Sequence, residues 1–387
     1  HVSLYALLFM ITLLGLSVLL EGCTDKCEVT NEYTYYEPVY TTVEEIRASV
    51  AMLPPQPIHA TRKKYFKDGL LYVNEPGKGV HIINNQNPEN PLAIKFLQIP
   101  GNYDLAIKGN TLYADSYVDL VAFDISNLSN IHEVNRVEGI FQNYQVMGFS
   151  IDESCCVITS FEEKKKVYIE ESDCSGTGLQ QWGGFFYADG VVAASAGAES
   201  YLSSKAAIAP GSGSGSGVGG SMARFTISGN HLYLLDGGNL QSVNIEDEDN
   251  PVAKNTTFLS WDIETIFPYN SNLFIGSRSG MHILDITSPE SPEKISTYQH
   301  VTSCDPVVVD EDYAYVTLRS GTTCQGFSNQ LEIIDISNLH YPQLLKTYPM
   351  TNPHGLGIDD KTLFICDGDD GLKAYDASDI NKIAENQ

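Results

Sequence analysis

The densest run of hard-ligand side chains is Asp367-Gly368-Asp369-Asp370-Gly371. Asp367, Asp369 and Asp370 are candidate Ca²⁺ ligands, because hard cations take several oxygens from one tight loop. The EF-hand spacing is not met: Asp370-Gly371 comes too early and no Glu closes the loop. A plain acidic turn is the competing reading, since Asn74–Gly79 and Gly276–Gly280 occupy the same place in sister segments. No other cofactor is expected.

Other chemistry is sparse. Gly215-Ser216-Gly217-Val218-Gly219-Gly220 fits G-x-G-x-x-G but lacks the flanking strand and helix that a dinucleotide site requires, so it reads as linker. Neither G-x-S-x-G nor H-E-x-x-H occurs, and the nine His are scattered, with His81, His231 and His282 in or beside strand patterns. No local motif names a catalytic residue. Acids drawn from several segments to one pocket would escape such a search.

Eight Cys occur without a C-x-x-C pair, which argues against structural zinc. Cys304 with Cys324, and Cys156 or Cys155 with Cys174, are candidate disulfides at separations of 20 and 18 or 19. Cys366 lies in an apolar run and reads as a buried thiol. Trp182, Phe185, Phe186 and Tyr187 put four aromatics within six positions, either a binding surface or strand core.

These residues need elements to position them. The chain has 387 residues, Lys+Arg 23 against Asp+Glu 49, and a net charge of −26. That acidity excludes phosphate-neutralising nucleic-acid binding as the main role. With 32 Gly and 22 Tyr, the composition leans towards turns and strands.

Val2 to Leu20 carries no charge and ends at Leu20-Glu21-Gly22-Cys23, which resembles a bacterial lipobox. The expectation is a signal helix and peptide over 1–22, lipid attachment at Cys23 and a polar tether over 23–60; an uncleaved membrane anchor is the alternative. That places the protein at the outer membrane, periplasmic or surface-exposed.

Beyond the tether, one pattern recurs. Gly/Asn, then Leu-Tyr or a relative, leads through a Gly-bearing turn to an apolar run that ends on Asp or Asn, and a Pro follows in most copies. The anchors are Asn84, Asp124, Asn244, Asp285, Asp335 and Asp376, and a degenerate copy spans Cys155–Ile158 and Lys166–Ile169 around a charged tip, Glu162–Lys166. Four alternating runs per unit of about 40 residues describe a β-propeller blade. The recurrent Asp is read as the cap of the turn after the third strand, and the Pro as the start of an outer edge strand.

These units resemble the LVIVD repeat family, as in Ile333-Ile334-Asp335-Ile336-Ser337 and His282-Ile283-Leu284-Asp285-Ile286-Thr287. With Cys23 and Gly219–Phe225, the chain is also similar to Bacteroidetes lipoproteins of that family. The resemblance implies a propeller with no general enzymatic activity, so no catalytic residue carries over.

The expected fold is therefore all-β: a propeller over 61–387 of about seven four-stranded blades. Eight are expected if the sequence is a fragment that continues. A Gly/Ser/Ala-rich insertion over 191–221 and a long loop at Arg319–Gln330 interrupt the rhythm. The expected role is a non-catalytic binding or scaffold module, attached to the membrane by its lipid, for a protein or glycan partner. A glycan-active hydrolase or lyase with acids converging on the axis, and a structural subunit of an outer-membrane complex, are the competing classes.

Overall fold

A computed structural model describes residues 26–142, 145–146, 149–150, 155–173, 185–188, 191–194, 223–300, 306–320 and 328–385. Two compact units emerge, one from residues 1–39 and 160–206, the other from 40–159 and 207–387.

The larger unit holds six antiparallel sheets of four or five strands, each built outward from its innermost strand, and a two-stranded sheet of Gln145–Val146 with Phe149–Ser150. The inner strands are Lys64–Lys67, Leu105–Lys108, Phe225–Ser228, Ile263–Tyr269, Val307–Asp310 and Leu356–Asp359. From blade one to blade six, each touches the inner strand of the blade that follows it in the chain, which sets them side by side around one axis. Blade one gains a fifth, outermost strand, Ala51–Leu53, paired with Phe96–Gln98. The stretch expected as a tether thus carries ordered elements.

The repeat pattern accounts for the blades locally. All six anchors accept the backbone N–H two residues on, for example Ser126 N to Asp124 Oδ1 at 2.7 Å, Thr287 N to Asp285 at 2.6 Å and Gln86 N to Asn84 at 3.0 Å. Asp335, Asp376 and Asn244 do the same. Pro91, Pro251, Pro292 and Pro342 each immediately precede an outer strand, where no ladder donor is lost. At the start of the third strand the outer strand approaches so closely that a Cβ on Gly79 or Gly280 would lie 2.1 or 2.2 Å from a carbonyl oxygen.

The aromatic position of the repeat builds the core between blades. Tyr72, Tyr113, Tyr233, Phe274 and Tyr315 are all buried. Tyr113 Oη donates to Glu248 O at 2.7 Å and Tyr233 Oη to Pro289 O at 3.0 Å, each reaching into the next blade. Burying such a ring contributes about 1.5–3 kcal/mol, and the phenol is satisfied as burial requires.

Six blades form, not seven. The degenerate copy is no blade: Cys156–Asp173 is one continuous strand without a hairpin at Glu162–Lys166. That run holds no Gly, Pro or Asn to turn the chain, so the alternation simply continues. In the smaller unit this strand belongs to a four-stranded sheet with Lys26–Thr42, Val191–Ala194 and Phe185–Ala188. Val191–Ala194, the start of the expected insertion, pairs with Thr34–Tyr36.

Helix α1, Val43–Ala48, starts with a Thr42–Glu45 capping box and buries Val43 and Ile46 against Val118 and Val157. Arg47 locks it to blade two through Asp119, at 2.8 Å and 3.1 Å. Among the described residues no helix is long and apolar enough to cross a membrane; the expected signal segment 1–22 and Cys23 lie outside them.

Candidate functional site

Because every blade repeats the same path, the starts of the six inner strands share one end of the axis. Charged side chains concentrate there. Lys63 Nζ lies 2.9 Å from Asp104 Oδ1 and donates to Phe225 O at 2.9 Å. Asp104 Oδ2 accepts the amides of Arg224 at 2.6 Å and Phe225 at 3.0 Å. One carboxylate therefore ties blades one, two and three together.

Asp115 lies behind it, buried. Its Oδ1 accepts Asn102 Nδ2 at 2.8 Å, Tyr103 N at 2.7 Å and Asp104 N at 2.9 Å. Burial pushes its carboxyl up to about 6, although these donors and Arg224 pull the other way. Arg62 stands over the Tyr103 ring at 5.8 Å, and burial together with Arg224 lowers its guanidinium from the usual value.

Blades four to six supply the other side. Glu264 is pushed up by burial despite Arg278, whose Nε lies 3.2 Å from Glu264 Oε1, and despite Arg319. Arg319 Nη1 donates to the His354 ring at 2.6 Å, and burial and then Arg319 hold that imidazole below its ordinary range. Burial opposes the charge on Asp262, but Ser260 and Ser279 donate to it and keep it below the usual carboxylate range.

The chain has six arginines among its 23 basic residues. Four of them lie at this end, Arg62 beside Arg224 and both Arg278 and Arg319 beside Glu264; the other two, Arg47 and Arg136, both engage Asp119. The arrangement is an arginine-rich mouth on an acidic protein, with its acids held in internal pairs. Guanidinium groups in such a setting match carboxylates bidentately.

The residues singled out from the sequence fall elsewhere or play other parts. Asp367 is fully buried, accepts Thr351 N at 3.1 Å and Asn352 N at 2.7 Å, and binds Lys373 Nζ at 2.8 Å. Asp370 also binds Lys373, at 3.1 Å, so an ammonium group sits between two of the three carboxylates proposed for Ca²⁺. Asp369 shares their 3₁₀ turn, Gly368–Asp370. Among the described residues no group of three or more His, Cys, Asp or Glu is placed to hold a metal.

Cys156 is bonded to its neighbour Cys155. Cys174, Cys304 and Cys324 lie outside the described residues, as does Trp182. Phe185, Phe186 and Tyr187 lie in strand Phe185–Ala188 of the smaller unit. Cys366 is an exposed free thiol, not a buried one, because its face of blade six lines an open cavity with Phe364 and Leu372. His81, His231 and His282 are buried; His81 Nε2 meets Glu75 at 2.6 Å, and His282 Nδ1 meets Thr297 Oγ1 at 2.9 Å.

The arginine mouth went unnoticed in the sequence because its members are far apart and belong to no motif. A signal existed: Arg278 and Arg319 each directly follow the second strand of a repeat, Asn272–Ser277 and Tyr313–Leu318, 41 residues apart. Stacking the repeats in register would have put both in one column.

Comparison with known proteins bears on the fold. The LVIVD repeat matches residues 102–138 and 303–350. No curated protein matches the chain in sequence. Among solved structures, a Lactobacillus plantarum protein is similar at 10% identity and TM-score 0.54, over 93% of this chain and 96% of that one. The periplasmic gluconolactonase PpgL of Pseudomonas aeruginosa is similar at 10% identity and TM-score 0.51, over 92% and 96%. At such identity the likeness speaks to fold alone. The chain is thus a six-bladed β-propeller carrying LVIVD repeats.

Proposed function

We propose that this protein is an exported binding propeller, tethered through a lipid on Cys23 at the outer membrane, whose axial mouth captures a carboxylate-bearing ligand from a glycan or protein partner. The observation that carries the reading is the gathering of Arg62, Arg224, Arg278 and Arg319 at one mouth of a chain with net charge −26. A ligand that supplied carboxylates would relieve the mutual repulsion of Arg62 and Arg224. The nearby acids favour binding over catalysis: Asp104 and Asp115 are spent on blade-to-blade and loop contacts. The test is calorimetric titration with galacturonate and gluconate against galactose and glucose. Binding confined to the acids, weakened by salt and lost by about tenfold or more in Arg278→Ala and Arg319→Ala, supports the reading. Equal binding of the neutral sugars, or no binding of either acid, sinks it.

A hydrolytic reading has one specific support, Glu264, a half-buried carboxyl with a raised pKa at the same mouth. The neighbour named as a gluconolactonase makes gluconolactone the first substrate to try. Turnover abolished by Glu264→Gln would favour an enzyme; no turnover above the spontaneous rate would remove that reading.

A further inference from the structure

Away from the axis, one face of blade three combines features that nothing above explains. A cavity of about 260 Å³ opens there, between Asn239, Gln241, Lys254 and Thr256 of blade three and the segment 137–142 that leaves blade two, with Glu138 and Gln142 facing in. Asn239 pairs with Phe258 and Gln241 with Thr256 across the two outer strands, so the period-two alternation sets all four on one face. Phe258 thus continues the cavity wall, and Trp261 meets its ring edge-on at 4.9 Å.

This aromatic pair is exposed yet firmly held. Trp261 is 80% and Phe258 53% accessible. The Phe258 ring lies directly on Gly238, where an added Cβ would come within 2.7 Å of it. Leu259 N donates to Gly238 O at 2.9 Å, and Arg278 N to Asp262 O at 3.1 Å, which pins the connection 259–262 on both sides. Leaving a large indole in water forgoes about 1.5–3 kcal/mol of burial, and a rigid mounting lowers the ordering cost of any ligand that stacks on it.

We propose that this face binds a neutral pyranose unit of a glycan, its ring stacked on Trp261 and its hydroxyls directed to the amide, hydroxyl and carboxylate groups of the cavity. Asn239, Gln142 and Glu138 offer donors and acceptors together, as vicinal hydroxyls require, while Gln241 and Thr256 bond each other and shape the floor. Lys254 is already paired with Glu290 at 2.9 Å, so the cavity is not built for a formal anion. Its volume of about 260 Å³ suits one sugar ring. This site is separate from the axial mouth and stands or falls without it.

The chain has two tryptophans, Trp182 and Trp261. A Trp182→Phe protein leaves Trp261 as the sole indole reporter and is titrated with cellobiose, xylobiose, chitobiose and maltose. The expected result is a saturable change in emission and slower iodide quenching with at least one disaccharide. Calorimetry should then show affinity reduced about tenfold or more in Trp261→Ala and in Gly238→Ala, with Arg319→Ala unchanged. Trp261→Ala removes an exposed side chain, and an unaltered circular dichroism spectrum confirms its fold. No saturable response to any of the four sugars, or binding undiminished in Trp261→Ala, overturns the proposal. So does a surface that captures only protein.

Discussion

Lys63 Nζ lies 2.9 Å from Asp104 Oδ1, with both side chains buried, and it joins the first residues of blades one and two where their inner strands meet the axis. Because Asp104 also takes the amides of Arg224 and Phe225, the pair anchors a third blade whose sequence lies about 120 residues further on.

Breaking one side of a buried ion pair costs about 3–5 kcal/mol, since the remaining charge is stranded. Lys63→Met and Asp104→Asn should each lower the urea midpoint accordingly. The double variant should lose clearly less than the sum of the two. Strict additivity in that double-mutant cycle would show that the two side chains do not act on each other.

Asp119 holds helix α1 through Arg47 and is braced by Arg136 Nη1 at 3.0 Å and Gly139 N at 3.0 Å. Asp119→Ala should cost about 3 kcal/mol by removing the buried carboxylate that both guanidinium groups share, leaving Arg47 with Glu138 and Arg136 with Glu133. Arg47→Ala should cost about 1 kcal/mol, because that side chain is partly solvated. Trypsin should cut after Arg47 much faster in Asp119→Ala than in the parent; equal rates would separate the clamp from the docking of the helix.

Two buried groups give opposite pH dependences. His282 is lowered to about 4 by burial and then by Lys294, so between about 6.5 and 4 the unfolded chain takes a proton that the fold refuses. Stability is lost as pH falls through that window, and His282→Asn should remove on the order of 2 kcal/mol of acid sensitivity. Asp115 is raised to about 6, so the fold holds a proton that the unfolded chain has released above about 4. Its contribution is lost as pH rises from about 4 to 6, and Asp115→Asn should flatten that part of the melting-temperature profile. Melting curves from pH 3 to 8 on both variants check the two signs.

Phe274 and Phe364 occupy the same position in blades four and six. Phe274→Ala should cost about 3–5 kcal/mol, as for a buried ring. Phe364→Ala should cost about 1 kcal/mol, since that ring is 38% exposed and lines an open cavity. Similar losses in chemical denaturation would mean that something covers blade six in solution.

Much of this fold was legible in the chain. Strand alternation, the Asp and Asn anchors and the prolines before the outer strands are local signals, and each does locally what its chemistry requires. Asp285 caps its own turn wherever the blade lies in the ring. The degenerate copy misled because Cys155–Ile158 and Lys166–Ile169 share the alternation of a blade while lacking a turn between them. Alternation states that a strand has two faces, not which sheet it joins.

The axial mouth was not legible, because Arg62 and Arg224 become neighbours only when two blades close around an axis. The clearest case is a tripeptide. Leu273-Phe274-Ile275 and Leu363-Phe364-Ile365 are the same three residues in the same strand of the repeat, yet Phe274 is 1% exposed and Phe364 38%. Phe274 meets Val307, Val309 and Val316 of blade five. Phe364 lines a cavity of about 470 Å³ with Cys366 and Leu372, across from Arg62 and Lys64. Local pattern alone puts both rings on a strand face and the strand in a blade. Whether that face meets a neighbouring blade or an open cavity was decided by tertiary structure, because burial depends on what packs against a residue as well as on the residue itself.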